Sequence, residues 1–371
     1  MDSFDGYTPA SDDPGTDAAA AAAPHEPRTT GFRFTGTTDE YFRIWIVNVC
    51  LSIVTLGIYS AWAKVRMTKY VRGHTLVDGV PFTYDANPMA ILRGRLVAVV
   101  AVGLWTGIGY VSPGAQLILL VPAAFVVPWL VVASLRFNAR VTAYRNVGFR
   151  FDGDYKGALK YYVGCMLLAG CTAYIMLPWA IRQQRAWQAR HTSWGNRRLE
   201  LKVLTSEFYA AYMPMFIGMV ILAFVVFFMI GVAAVTGGKG EGGGATDMAR
   251  STGFIVGIAV AYIVLILTAI WTQAALVQTT LNGLAVGEES RLRCSISAAR
   301  YAWILGSNAL VSLFTLGMMY PWGEVRRLRY LAAHTIVSGA ETFDSVVGTR
   351  GLPGSAAGEE IADAFDIDVG F

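Results

Sequence analysis

The sequence is poor in the residues that most chemistry requires. Four histidines and four cysteines occur in 371 residues. Cys50, Cys165, Cys171 and Cys294 form no C-x-x-C pair and three of them lie inside apolar runs, which argues against a zinc cluster or a disulfide framework. G-x-S-x-G, H-E-x-x-H and a Walker loop are absent, and the glycine-rich stretch 237 to 244 lacks the G-K-[ST] ending that phosphate cradling needs. The long apolar runs hold no charge, which argues against a pump built on buried ionisable groups. No enzymatic activity, cofactor or metal is expected.

Charge is scarce as well, at 15% of residues against 54% hydrophobic, with a mean hydropathy of +0.46. A soluble protein of this length does not have that balance, so a membrane class is expected. The charge is also segregated. The first 30 residues are net −5 and residues 341 to 371 net −6 in a chain of +4, leaving +15 on residues 31 to 340. Because the basic residues sit between apolar runs, they fit loops facing anionic cytoplasmic lipid better than nucleic acid. The N-terminal stretch has no basic n-region and no long apolar core, so it reads as a disordered acidic tail and not as a signal peptide. Residues 348 to 371 read as a second acidic tail.

Uncharged apolar stretches lie at 44 to 63, 96 to 135, 161 to 181, 208 to 238, 251 to 287 and 301 to 323. Each is long enough for a hydrocarbon core that needs about 20 residues. The second, broken at Gly109 to Gly114, is long enough for two crossings. The positive-inside rule places the Lys- and Arg-rich loops and both tails in the cytoplasm. Residues 96 to 136 and 208 to 287 then read as two transmembrane hairpins. The stretches at 44 to 63, 161 to 181 and 301 to 323 have basic flanks on both sides, so each is either a span that violates the rule or a re-entrant element; the reading adopted is re-entrant.

These three stretches belong to a repeat. A shift of 117 residues lays Phe32-Arg33-Phe34, Trp62-Ala63 and His74-Thr75 on Phe149-Arg150-Phe151, Trp179-Ala180 and His191-Thr192. A shift of 260 lays Asn48, Thr55-Leu56-Gly57, Trp62, Arg66, Tyr70 and His74-Thr75 on Asn308, Thr315-Leu316-Gly317, Trp322, Arg326, Tyr330 and His334-Thr335. The motif W-x11-H-T therefore occurs three times, in copies spanning 31 to 95, 149 to 203 and 292 to 347. Each copy reads as a short strand (FRFTG, FRFDG or LRCSI), an apolar segment, a basic helix and a second strand (PFTYD, RLELK or ETFDS). Pairing the two strands of a copy would make a small interfacial β-element. The fold class expected is thus an all-α polytopic membrane protein.

The stretches FRFTGTTDEYFRIW, TLGIYSAWAKVR and DGVPFTYDANPMAILRGRLVA resemble the YjgN-like family of bacterial inner-membrane proteins, whose domain is of unknown function. The resemblance covers about residues 30 to 340. It implies a multi-pass protein of the bacterial inner membrane and supplies no substrate, cofactor or catalytic residue.

The candidate functional residues are the repeated ones. Trp62, Trp179 and Trp322, with Tyr70, Trp187 and Tyr330, read as interfacial anchors. Arg33, Arg150, Arg293, Arg66 and Arg326 read as snorkelling side chains or lipid-phosphate ligands. His74, His191 and His334, with Thr75, Thr192 and Thr335, either cap their helices or converge on one site. Two functions are compatible with this inventory: a permease or channel for a small neutral or amphipathic solute, preferred here, and a scaffold or binder of anionic membrane lipid. A homo-oligomer is compatible with either.

Overall fold

The computed structural model describes residues 28 to 237, 244 to 343 and Val346. The two tails and the centre of the glycine-rich connector lie outside those residues. The structure has five pairs of short strands: β1 (Thr29–Phe34) and β2 (Thr75–Val77), β3 (Val80–Tyr84) and β4 (Thr142–Tyr144), β5 (Val147–Phe151) and β6 (Thr192–Trp194), β7 (Arg197–Leu201) and β8 (Leu284–Val286), β9 (Ser290–Cys294) and β10 (Thr335–Ser338). Every pair brackets a helical hairpin.

The first hairpin is α1 (Thr38–Val54) and α2 (Ser60–Gly73), and the second α3 (Pro88–Val111) and α4 (Pro113–Arg140). The third starts with α5 (Tyr155–Ala158), a π-helical turn over Leu159–Gly164 and α6 (Cys165–Cys171), and returns through α7 (Leu177–His191). The fourth is α8 (Thr205–Gly237) and α9 (Gly244–Gly283), and the fifth α10 (Ala298–Phe314) and α11 (Tyr320–Ala333).

The ten strands close into one antiparallel barrel, with β1 paired to β10 on one edge and to β2 on the other. This overturns the all-α expectation. Each strand is three to six residues long, and closure lets such short strands survive because it leaves no unpaired edge. The expected pairing of first and second strands within a copy is also corrected, since β2 stands between β1 and β3, and β6 between β5 and β7. FRFTG, FRFDG and LRCSI contribute to β1, β5 and β9, and PFTYD and RLELK to β3 and β7, as expected. Of ETFDS, residues 341 to 343 lie in the 3-10 turn Ala340–Phe343 and not in a strand, and residues 344 and 345 lie outside the described residues. With β1 already on the free edge of β10, the barrel has no place for an eleventh strand.

The tight turns are built where the backbone requires a left-handed conformation, as at Asp78-Gly79 (φ 49° and 72°). Asp78 also ties the rim together, accepting from Arg28 at 2.9 Å and pairing with Arg145 of the next strand turn. Inside, Val77, Tyr144, Trp194, Leu199, Leu292 and Val337 belong to one buried cluster. The Tyr144 hydroxyl donates to the Val77 carbonyl at 2.8 Å, and the Trp194 indole N–H to the Tyr144 carbonyl at 3.3 Å. Phe343 closes this core edge-on, its ring centroid 6.1 Å from Tyr144 and 5.4 Å from Trp194.

Among the described residues, four helical segments are long and apolar enough to cross a membrane: Pro88–Val111, Pro113–Arg140, Thr205–Gly231 and Thr252–Gly283. These are the second and fourth hairpins, where two transmembrane hairpins were expected. The other three hairpins turn back through Thr55, Thr172 and Thr315, whose hydroxyls donate to carbonyls one turn earlier and accept from the backbone N–H of residues 59, 176 and 319. Positive φ angles at Leu56 and Gly57, Ala173 and Tyr174, and Leu316 and Gly317 complete the reversals.

Candidate functional site

The three histidines sit where a helix hands over to a strand. Each Nδ1 lies against the carbonyl one turn back: His74 to Tyr70 at 2.8 Å, His191 to Trp187 at 2.9 Å and His334 to Tyr330 at 2.8 Å. A carbonyl only accepts, so Nδ1 carries the proton and donates it to the histidine's own helix end. Each also rests on the aromatic ring preceding it by four residues, with centroids 4.1, 5.2 and 4.2 Å apart. They therefore point at their own helices and do not converge. Among the described residues no group of three His, Cys, Asp or Glu is placed to hold a metal.

The threonines repeat the same economy. Thr75, Thr192 and Thr335 donate to the carbonyls of Val71, Gln188 and Leu331, each at 2.8 Å. The His carbonyl is used too: the backbone N–H of Thr35, Asp152 and Ser295 donates to His74, His191 and His334 at 3.0, 2.9 and 2.9 Å. The long hairpins make the same bond, Asp85 to Val141 at 3.0 Å and Lys202 to Gly283 at 2.7 Å, and Thr142 donates to Asn138 as the other threonines do. Sequence reading missed Thr142, whose signal was a Thr three residues before the Arg145-Asn146 turn, the spacing of Thr75 from Asp78-Gly79.

Tyr70 and Tyr330 do more than anchor. The Tyr70 hydroxyl accepts from the Thr37 N–H at 3.0 Å and donates to Glu40 at 2.8 Å, which holds the Glu40 carboxyl below its ordinary range. Burial, and then Glu40, pushes the Tyr70 hydroxyl up. Tyr330 accepts likewise from the Ser297 N–H at 3.3 Å. Trp187 takes the corresponding position in the third hairpin and is buried with Phe151 and Ala158. Trp62, Trp179 and Trp322 are half-buried.

The arginines divide. Arg33, Arg150 and Arg293 are exposed on the outer face of β1, β5 and β9, paired in register with Leu76, Ser193 and Ile336. Arg66 is exposed on α2. Arg326 instead turns inward, donating to Ser307 Oγ at 2.8 Å and Asn308 Oδ1 at 3.1 Å beneath the Trp322 ring. Asn308 Nδ2 in turn donates to the Gly323 carbonyl at 2.8 Å.

Asn48, the counterpart of Asn308, is placed differently. It is 2% exposed, yet neither its Nδ2 nor its Oδ1 has a hydrogen-bond partner. It lines a groove of about 280 Å³ between α1 and α2, together with Trp45, Val49, Ser52, Ile53, Ala63 and Met67.

The inner membrane protein YjgN of Salmonella typhimurium is 23% identical over 346 residues, which cover 82% of this chain and 88% of that protein. Two Escherichia coli proteins of the same name, from O157:H7 and K12, are 30% and 31% identical over 127 and 129 residues, 34% of this chain and 32% of theirs. No solved structure matches. A family described as "Bacterial protein of unknown function (DUF898)" matches residues 29 to 364, which takes in every strand of the barrel and all five hairpins, and the chain belongs to that family.

Proposed function

We propose that the protein is a non-transporting lipid-binding scaffold of the bacterial inner membrane, with the barrel on the cytoplasmic side. The observation that carries this is the build of the three short hairpins. Their tips are bare and apolar: Leu56 is 95% and Leu316 94% exposed, and Ile53, Val54, Ile175, Leu313 and Phe314 are exposed beside them. The first cation after each tip is Lys64, Arg182 or Arg326, about 12 to 15 Å back along a helix rising 1.5 Å per residue. That reach is about half of a ~30 Å hydrocarbon core, so the hairpins dip into one leaflet and return. Both ends of every hairpin enter neighbouring strands, which gathers the basic residues on the barrel side, where anionic headgroups and the positive-inside rule favour them. The acidic tails then lie in the cytoplasm.

A permease, the first expectation from sequence, has less support. The barrel core is occupied by Tyr144, Trp194 and Phe343, so a solute would need a route elsewhere. Co-purification and native mass spectrometry of the full chain from nanodiscs of mixed composition test the reading. Phosphatidylglycerol should be retained over phosphatidylcholine, and Arg33, Arg66, Arg150 and Arg293 changed together to Gln should remove the preference. Retention without headgroup preference in the unaltered chain would refute it, as would solute flux through reconstituted vesicles.

A further inference from the structure

The two Asn residues differ in one neighbour. At Gly323 an added Cβ would stand 3.1 Å from Asn308 Cβ and Cγ and 3.3 Å from its Nδ2, so glycine is what lets the carboxamide reach the carbonyl of residue 323. The residue equivalent to Gly323 by the shift of 260 is Ala63. A methyl there occupies the space that Asn308 uses, and Asn48 is left with four unsatisfied hydrogen-bonding sites in an apolar setting. A buried, unpartnered amide is costly, so Asn48 calls for a polar partner from outside the protein. The same separation opens the groove that Ala63 and Asn48 both line.

We infer that this groove holds one acyl chain of an anionic phospholipid, with the Asn48 carboxamide bonded to the ester or glycerol oxygens and Arg66 at the phosphate. The inference rests on the lipid-binding reading above and names its site. Three observations fit that occupant. At about 280 Å³ the groove lies at the lower edge of small-molecule sites, room for a chain and not for a whole lipid. Trp45, Val49, Ile53 and Met67 offer apolar walls along it, and the exposed tip residues Ile53 and Val54 place its far end among acyl chains. Arg66 lies three residues after Ala63, on the same helical face toward the headgroups, and is exposed where Arg326 is consumed by Asn308. The third hairpin pairs Cys165 with Ala180, both buried in one cluster, so only the first combines amide, space and cation.

The test is photo-cross-linking of the full chain in nanodiscs with phosphatidylglycerol carrying a diazirine in its acyl chain, mapped by mass spectrometry. The α10–α11 hairpin serves as internal reference. Labelling of residues 45 to 67 should exceed the reference. It should fall roughly threefold to tenfold in Asn48→Leu, the range that one polar contact in a bilayer supplies, and likewise in Ala63→Gly, which lets Asn48 close onto the carbonyl of residue 63. Labelling no higher than the reference, or unchanged in Asn48→Leu, would overturn the site. Equal labelling by a phosphatidylcholine probe, still lost in Asn48→Leu, would uphold the groove while contradicting the anionic preference.

Discussion

Phe343→Ala is the sharpest probe of the barrel core. The ring is 8% exposed and meets Tyr144 and Trp194 edge-on at 6.1 and 5.4 Å. Truncating a buried Phe to Ala removes its transfer energy and leaves a cavity, together about 3–5 kcal/mol, and aromatic pairs of this geometry add about 0.5–1.5 kcal/mol beyond area. Because Phe343 comes from a short 3-10 turn that can settle inward, the lower end, about 3 kcal/mol, is expected. Phe343→Leu keeps most of the volume and should cost about 1 kcal/mol. Unfolding in mixed micelles, followed by far- and near-ultraviolet circular dichroism, measures both, and the near-ultraviolet signal should weaken first because Tyr144 and Trp194 lose their fixed neighbour. A loss under about 0.5 kcal/mol for Phe343→Ala would show that the ring does not fill the barrel.

Two further predictions rest on single contacts. Gly339 has φ 83°, and a Cβ there would lie 2.6 Å from the Glu289 carbonyl oxygen, so Gly339→Ala should cost about 2 kcal/mol or more in the same unfolding assay; a neutral result would contradict the β9–β10 approach. Tyr70→Phe removes the donor that depresses Glu40. Since the folded carboxyl titrates below its unfolded value near 4.3, that stabilisation is complete above pH ~5 and disappears as pH falls through the lower folded value. The stability gap between the unaltered chain and Tyr70→Phe should therefore narrow in acid, leaving the part that the Thr37 N–H contact supplies; a gap that widens in acid would reverse the assignment.

The strands of five or six residues, such as Thr29–Phe34 with its Phe32-Arg33-Phe34 alternation and Arg197–Leu201, were legible because one face is buried and the other wet. The return strands were not. Thr75–Val77 and Leu284–Val286 have three residues each, too few to carry a period, and Leu284–Val286 continues an apolar run that helix α9 begins. Closure itself has no local signature, since the partner of Thr29 is Ser338 at the other end of the chain. Among candidate sites, the repeated His-Thr pairs were visible but ambiguous between convergence and capping, and only the Nδ1 contacts resolve them. Asn48 looked equivalent to Asn308. What sets it apart is the methyl of Ala63, whose meaning depends on a helix spacing that sequence does not display.

Closure of the barrel gathers both ends of all five hairpins on one face, and paired cysteines across both edges of β1 test it most directly. In a chain freed of Cys50, Cys165, Cys171 and Cys294, Gly31→Cys with Ile336→Cys reports the β1–β10 edge, and Arg33→Cys with Leu76→Cys the β1–β2 edge. Mild oxidation in membranes should join both pairs, while control pairs shifted by two residues remain reduced. Formation of the β1–β2 bond without the β1–β10 bond would mean an open sheet and would contradict the closed barrel.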